Sequence, residues 1–210
     1  MNLSPKPKSR EAIKAWNRQK IIDATIDVIT AYGIAGTTIA KVVELAGVSM
    51  GLINVHFKSK DALLYEVLRY MARDYTDYWK QSLAKAPNNT VERLTTLIEV
   101  DFDPRVLNLK SMGVWMAFRA QARSKPEYVD LVGTRESEQI EEFVSLFTQL
   151  NSDSGYDHNP VAVTRCILSM QDGLWTDYFL YPNDFSRKDA IACFHLYLSA
   201  LYPEHFPVPD

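Results

Sequence analysis

Cysteine is nearly absent from this 210-residue chain, which carries only Cys166 and Cys193. The pair has neither the close spacing of a zinc site nor the density of a disulfide framework, so a reduced, cytoplasmic setting is expected. Glycine is scarce too, eight in all, and none is arranged as a phosphate-binding loop. No apolar run approaches the ~18–20 residues that a membrane span needs, which argues against a membrane partner. The opening MNLSPKPKSR is basic but lacks a following apolar segment, so a secretory signal is not expected. Histidine is rare, and His56, His158, His195 and His205 form no His-x-x-x-His pattern. No metal site and no cofactor is therefore expected.

What is abundant is apolar content, 47% of the chain, enough for a sizeable core. Charge is unevenly placed. The first 60 residues hold nine Lys and Arg against four acids, a balance of +5, whereas the remainder carries −8. A basic head on an acidic body is the footprint of a protein whose first segment meets a polyanion.

The apolar pattern is helical nearly throughout, and no stretch alternates as a strand would. Residues 1–9 read as a disordered basic arm. A first helix is expected from Arg10 to Tyr32, with Ile22, Ile26, Ile29 and Tyr32 on one face and a stop at Gly33. Thr38 caps a short second helix that Gly47 ends, and Ser49 caps a third reaching His56. Ser59 starts a long fourth helix whose apolar face is Leu64, Leu68, Met71, Tyr75 and Tyr78/Trp79. Asn89 with Glu92 makes a capping box for a fifth helix, and Asp103-Pro104 reads as the start of a short sixth. Further helices are expected over about 110–124, 124–150, 159–181 and 186–201. The expected architecture is all-α: a three-helix head over 10–60 and a helical body over 61–210, joined by the long fourth helix.

The second and third helices, parted by Ala46-Gly47-Val48, have the dimensions of a helix-turn-helix unit. Val42, Val43, Ala46, Val48, Ile53 and Phe57 should pack inward, leaving Ser49, Met50, Gly51, Asn54 and His56 facing out. Asn pairs bidentately with adenine, Met touches a thymine methyl, and Gly51 lets the backbone approach DNA. Thr38, Lys41 and Lys60 are the candidates for phosphate contacts near helix N-termini. Taken singly, each has a plainer reading as a cap or a solvated side chain. Gathered on one face of a net-basic head, they point to double-stranded DNA.

The run Gly33…Thr37-Thr38-Ile39…Val42-Val43…Ala46-Gly47-Val48-Ser49-Met50-Gly51…His56-Phe57-Lys58-Ser59-Lys60…Leu63 resembles the DNA-binding signature of the TetR family of transcriptional repressors. Asn54 departs from it, standing where the family commonly has Tyr. Asp101-Phe102-Asp103, Trp115…Ala117-Phe118 and Asp172-Gly173-Leu174-Trp175 resemble the choline-responsive BetI branch. The resemblance implies a repressor that binds a palindromic operator as a homodimer and is released by a small molecule. It also implies that the last two helices make the dimer, with Phe194, Leu198, Leu201 and positions near Leu174 as candidates.

Aromatic residues are dense in the body. Tyr75, Trp79, Trp115, Phe118 and Trp175, with Asp101, are the candidate ligand-binding residues. Rings around one carboxylate suit a quaternary ammonium ion through cation–π attraction, so choline or a related cation is the leading effector. A hydrophobic or aromatic inducer would suit the same rings. Two readings from other classes are an all-α enzyme and a protein-interaction module. The first lacks a convergent catalytic set, since Cys193 and His195, two apart, would not face each other on a helix. The second predicts that changes at Gly51 or Asn54 leave DNA affinity untouched.

Overall fold

The computed structural model describes residues 9–207, excepting the side chains of 130–137. Every regular element among the described residues is a helix, in the order α1 (Arg10–Gly36), α2 (Ile39–Ala46), α3 (Met50–His56), α4 (Lys60–Lys85), α5 (Thr90–Val100), α6 (Leu109–Gln121), α7 (Pro126–Ser154), α8 (Pro160–Leu180) and α9 (Arg187–Leu201). The expected basic arm lies, Ser9 apart, outside the described residues.

The chain forms two compact units. One runs through Met71 and takes in Gly113–Val129; the other comprises Ala72–Met112 and the chain from Asp130 onward. The head boundary expected at residue 60 thus falls inside the first unit, which includes the opening turns of α4.

In the first unit, α1 buries Ile21, Ile22, Ile26 and Ile29, each burial stabilising by about 1.5–3 kcal/mol. Gly33 interrupts the helix with φ 65° and ψ 176°, a backbone region that a Cβ disfavours. Tyr32, expected on the apolar face, is instead 58% exposed and lies under the Lys41 ammonium, 3.9 Å from its ring centroid. Thr38 caps α2 by accepting from Lys41 N at 3.3 Å. Gly47 closes the helix in the left-handed region, at φ 58° and ψ 45°. Ser49 caps α3 by accepting from Leu52 N at 3.2 Å, and each such cap contributes about 1 kcal/mol. Val42, Ala46, Ile53 and Phe57 are buried as expected, which fixes the angle between α2 and α3. An ion pair between Arg18 and Glu66 joins α1 to α4.

In the second unit, Tyr75, Trp79 and Leu83 continue the buried face of α4. The Asp103-Pro104 segment is one turn rather than a helix. Asp103 Oδ1 accepts from Arg105 N at 2.7 Å and its carbonyl accepts from Leu107 N at 2.8 Å. There Asn108 intervenes: its amide bonds back to Pro104 O and Arg105 O, while its Oδ1 caps α6 at Ser111 N. Residues 101–108 thereby become a pinned turn, with Leu107 O also held by Arg187 of α9 at 2.8 Å. Phe194 and Leu198 of α9 are each 1% exposed within this single chain. Phe194 packs against Phe102 at 5.5 Å between centroids, so both residues complete the chain's own core and leave a second copy to meet other positions.

Candidate functional site

The outward face of α3 is compact and mixed in character. Ser49, Met50, Gly51 and Asn54 are exposed, as expected, and Val55 joins them at 70% exposure. Val55 escaped the sequence reading because a β-branched residue between Asn54 and His56 looks like core. Its spacing of four from Gly51 was the available signal. A Cβ built on Gly51 would meet nothing nearer than Ser49 Oγ at 3.9 Å, so no neighbour within the protein demands a glycine there.

The two lysines among the expected DNA contacts also have partners within the protein. Lys41 Nζ donates to Gly36 O at 2.8 Å, and Lys60 Nζ donates to Ile34 O at 3.1 Å. Both ammonium groups thus bind carbonyls at the end of α1, where partial negative charge favours a cation. They hold α2 and α4 to the α1–α2 connection, and remain half-buried there. His56 is half-buried at the end of α3, beside Phe57 with ring centroids 6.1 Å apart. Burial, then the charges of Lys14 and Arg18, hold its pKa below the ordinary imidazole value. Lys14 and Arg18 both come from α1, so the end of α3 and the first turns of α1 make one positive corner.

In the second unit, four of the expected ligand residues are buried: Tyr75, Trp79, Asp101 and Trp175. Asp101 is the centre of a network. Its side chain accepts from the Tyr75 hydroxyl through Oδ1 and from Gln139 Nε2 through Oδ2 at 3.4 Å. Gln139 Nε2 also donates to the Tyr75 hydroxyl oxygen at 2.8 Å. Trp175 Nε1 donates to the Asp101 carbonyl at 3.1 Å, and its ring meets Tyr75 edge-on at 6.3 Å. A carboxylate 1% exposed is costly without such donors. Gln139 was missed in the sequence, where a lone Gln on an amphipathic helix carries no local signature. The other two expected residues, Trp115 and Phe118, are buried in the first unit, where Phe118 meets Tyr128 edge-on at 5.0 Å.

The second unit also has an open groove of about 490 Å³ between the end of α8 and the start of α9. Asp177, Tyr181, Asp184, Phe185 and Asp189 are among its lining residues. No group of three or more His, Cys, Asp or Glu residues suited to a metal ion occurs among the described residues.

Residues 21–67 match the tetR family of bacterial regulatory proteins, and residues 90–203 match the C-terminal region of BetI-type transcriptional repressors. The chain belongs to the TetR family, with a BetI-type C-terminal region. It is 28% identical over 194 residues to the HTH-type transcriptional regulator BetI of Yersinia pestis, covering 86% of this chain and 90% of that one. In fold it is similar to a Saccharomonospora viridis regulator solved in complex with choline, with a TM-score of 0.78, 19% identity and coverage of 88% and 96%. It is also similar to FadR of Bacillus subtilis in complex with stearoyl-CoA, with a TM-score of 0.69, 17% identity and coverage of 91% and 99%. This TetR-family protein is a helix-turn-helix transcriptional regulator and not an enzyme.

Proposed function

We propose that this TetR-family regulator represses transcription as a homodimer on a palindromic operator and is released by a small onium cation such as choline. The observation that carries the DNA reading is the exposed face Ser49-Met50-Gly51-Asn54-Val55, which includes a glycine that nothing inside the protein requires. Gly51 admits the DNA backbone, Asn54 offers both halves of an amide to an adenine edge, and Met50 and Val55 suit thymine methyls. Thr38, the positive corner of Lys14 and Arg18, and the neutral imidazole of His56 beside it meet phosphates, which fix register without reading sequence. Lys41 and Lys60 act by bracing the helices that carry these groups.

The effector reading is supported by Asp101, enclosed with the rings of Tyr75 and Trp175. Among the described residues, Tyr75 and Gln139, both neutral, donate to this carboxylate. A cation lacking N–H groups gains from ring faces and a nearby carboxylate without competing for its hydrogen bonds. The choline complex of a protein with the same fold agrees with this choice.

A second copy is supported by a stripe on α8. Ala162, Cys166, Ser169, Gly173, Thr176 and Leu180 recur at spacings of four and three, and all six are exposed. Small side chains at these positions allow close helix approach, and Leu180 and Leu196 of α9 are 57% and 63% exposed. Arg165 lies toward the start of α8, with Asp172 and Asp177 toward its end. A two-fold axis packs α8 antiparallel to its mate and sets Arg165 of one copy against the acids of the other.

Fluorescence anisotropy on a labelled palindromic fragment from the protein's own upstream region tests the whole reading. Binding should weaken steeply with salt, and choline should release the fragment at low salt. Absence of binding at low salt without ligand would overturn the DNA reading. Release by long-chain acyl-CoA with no response to choline would replace the cation with an apolar effector.

A further inference from the structure

His56 is the last residue of α3 and stands on the flank of that helix, half-buried, while Met50, Gly51, Asn54 and Val55 make its exposed front. Leu52, four residues earlier and half-buried like it, shares the flank. The charges that reach the imidazole come from α1: Lys14, which is exposed, and Arg18, four residues later on the same face. The Arg18 guanidinium lies over the Phe57 ring, 5.5 Å from its centroid, and pairs with Glu66 of α4. Arg69 approaches the same carboxylate at 3.5 Å, so the acid that α4 brings to this corner is shared between two arginines. Lys58, two residues beyond His56, is exposed.

In the free head these neighbours keep the ring neutral near pH 7. Burial acts first, then Lys14 and Arg18, and all three disfavour a proton. No carboxylate among the described residues opposes them at the ring. DNA reverses this balance. A phosphodiester is ionised throughout the range in which imidazole titrates, and pairing with Lys14 and Arg18 cancels their repulsion of a third cation. Its oxygens are also acceptors, and a hydrogen bond to the charged form of a group favours that form. A neutral imidazole has one N–H and one bare nitrogen, which a phosphate oxygen repels; protonation makes both nitrogens donors.

We propose that operator binding and proton uptake are coupled at His56, so that the head docks by closing Lys14, Arg18 and a newly formed imidazolium on the DNA backbone. This rests on the DNA reading above and adds a proton to the complex. The bound head then holds more protons than the free one, and affinity rises as pH falls. That sign is opposite to the effect of His56 on the stability of the free head, which weakens over the same range. The coupling is confined to the interval between the proton affinities of the free and bound ring. It vanishes at higher pH, where both states are neutral, and at lower pH, where both are charged. Contacts to phosphate carry no sequence information, so a random duplex should feel the coupling as the operator does.

Fluorescence anisotropy of the full chain on the labelled palindromic upstream fragment, at pH 8.0 and 6.0 and fixed ionic strength, tests the coupling. The wild type should bind roughly 3- to 10-fold more tightly per protomer at the lower pH, since one pKa unit between free and bound states is about tenfold in affinity. Its salt slope should steepen by up to about 0.9 per protomer, the increment of one added cation. In His56→Gln, which keeps a donor but does not titrate, the ratio of affinities at the two pH values should fall to about one. A ratio that the substitution leaves unchanged overturns the proposal, as does a wild type equally tight at both pH values; either outcome leaves the DNA reading standing. Absence of binding at both pH values overturns the DNA reading and this coupling with it. Should His56→Gln fail to fold or to bind, the wild type decides alone: the His56 ring Hε1 resonance should titrate at a higher midpoint with the duplex than without it. Equal midpoints overturn the proposal.

Discussion

Trp175 Nε1 donates to the backbone carbonyl of Asp101 at 3.1 Å, so α8 grips by its main chain the residue whose side chain α4 and α7 hold through Tyr75 and Gln139. One residue at the end of α5 is thereby fixed from three helices. Arg187 adds a fourth anchor to the same turn, at Leu107 O, from the start of α9. A small movement of Asp101 cannot be absorbed locally, because its backbone and side chain are tied to different elements.

Trp175→Phe keeps an aromatic ring but loses the fused pyrrole with its donor, leaving the Asp101 carbonyl short of a partner and a cavity in a buried site. The expected cost is at least about 1–3 kcal/mol, read as a lowered midpoint in denaturant with an unchanged slope. A variant as stable as the wild type would show that the carbonyl finds another donor.

Gly51→Ala should separate stability from function. The added Cβ has space in the protein, with the nearest atom at 3.9 Å. Replacing Gly in a helix by Ala stabilises by up to about 1 kcal/mol. Thermal unfolding should therefore rise slightly or stay level while operator affinity falls, and Gly51→Leu should abolish binding without unfolding the head. Asn54→Ala should reduce discrimination at one operator position by about 1–3 kcal/mol if Asn54 reads a base. A uniform loss across operator variants would assign it to phosphate.

The head was readable in the sequence because its signals are local. Thr38, Gly47 and Ser49 each act within a turn of themselves, and each takes the expected role. Asp101 was also recoverable, since an acid amid aromatic residues is conspicuous at short range. Gln139 was not, because its partners Tyr75 and Asp101 lie 64 and 38 residues away. The same distance effect hid the partners of Lys41 and Lys60, since only the fold brings the carbonyls of Gly36 and Ile34 within reach. Phe194 and Leu198 were open to either the core or a second copy, and only packing against Phe102 and its neighbours decided for the core.

His56 gives the head a pH dependence of definite sign. Burial and the charges of Lys14 and Arg18 lower its folded pKa, whereas the unfolded value is about 6.5. Below the unfolded pKa the unfolded chain binds more protons at this site than the folded one, so stability rises with pH in that range. The contribution is fully present above about 6.5 and is lost as pH falls through the depressed folded value. Denaturant melts at pH 7.5 and 5.5 should show a larger loss for the wild type than for His56→Gln. Equal losses would show that His56 is not among the groups responsible.

The antiparallel packing of α8 makes a prediction that ordinary disruption cannot imitate. Arg165→Asp should weaken self-association, because it sets an acid against Asp172 and Asp177 of the second copy. Asp177→Arg should weaken it too, by placing two arginines together. Combining the two substitutions restores opposite charges across the axis with the signs exchanged, so the double variant should dimerise better than either single one. Sedimentation velocity across a concentration series measures each constant, and the coupling between the two sites should fall within about 0.5–3 kcal/mol. Additive losses in the double variant would exclude this register while leaving a dimer through other faces open to Leu196→Glu, which places a charge on the exposed side of α9. A wild type that remains monomeric at micromolar concentration would remove the two-fold arrangement altogether, and with it the paired spacing of recognition helices that a palindromic operator requires.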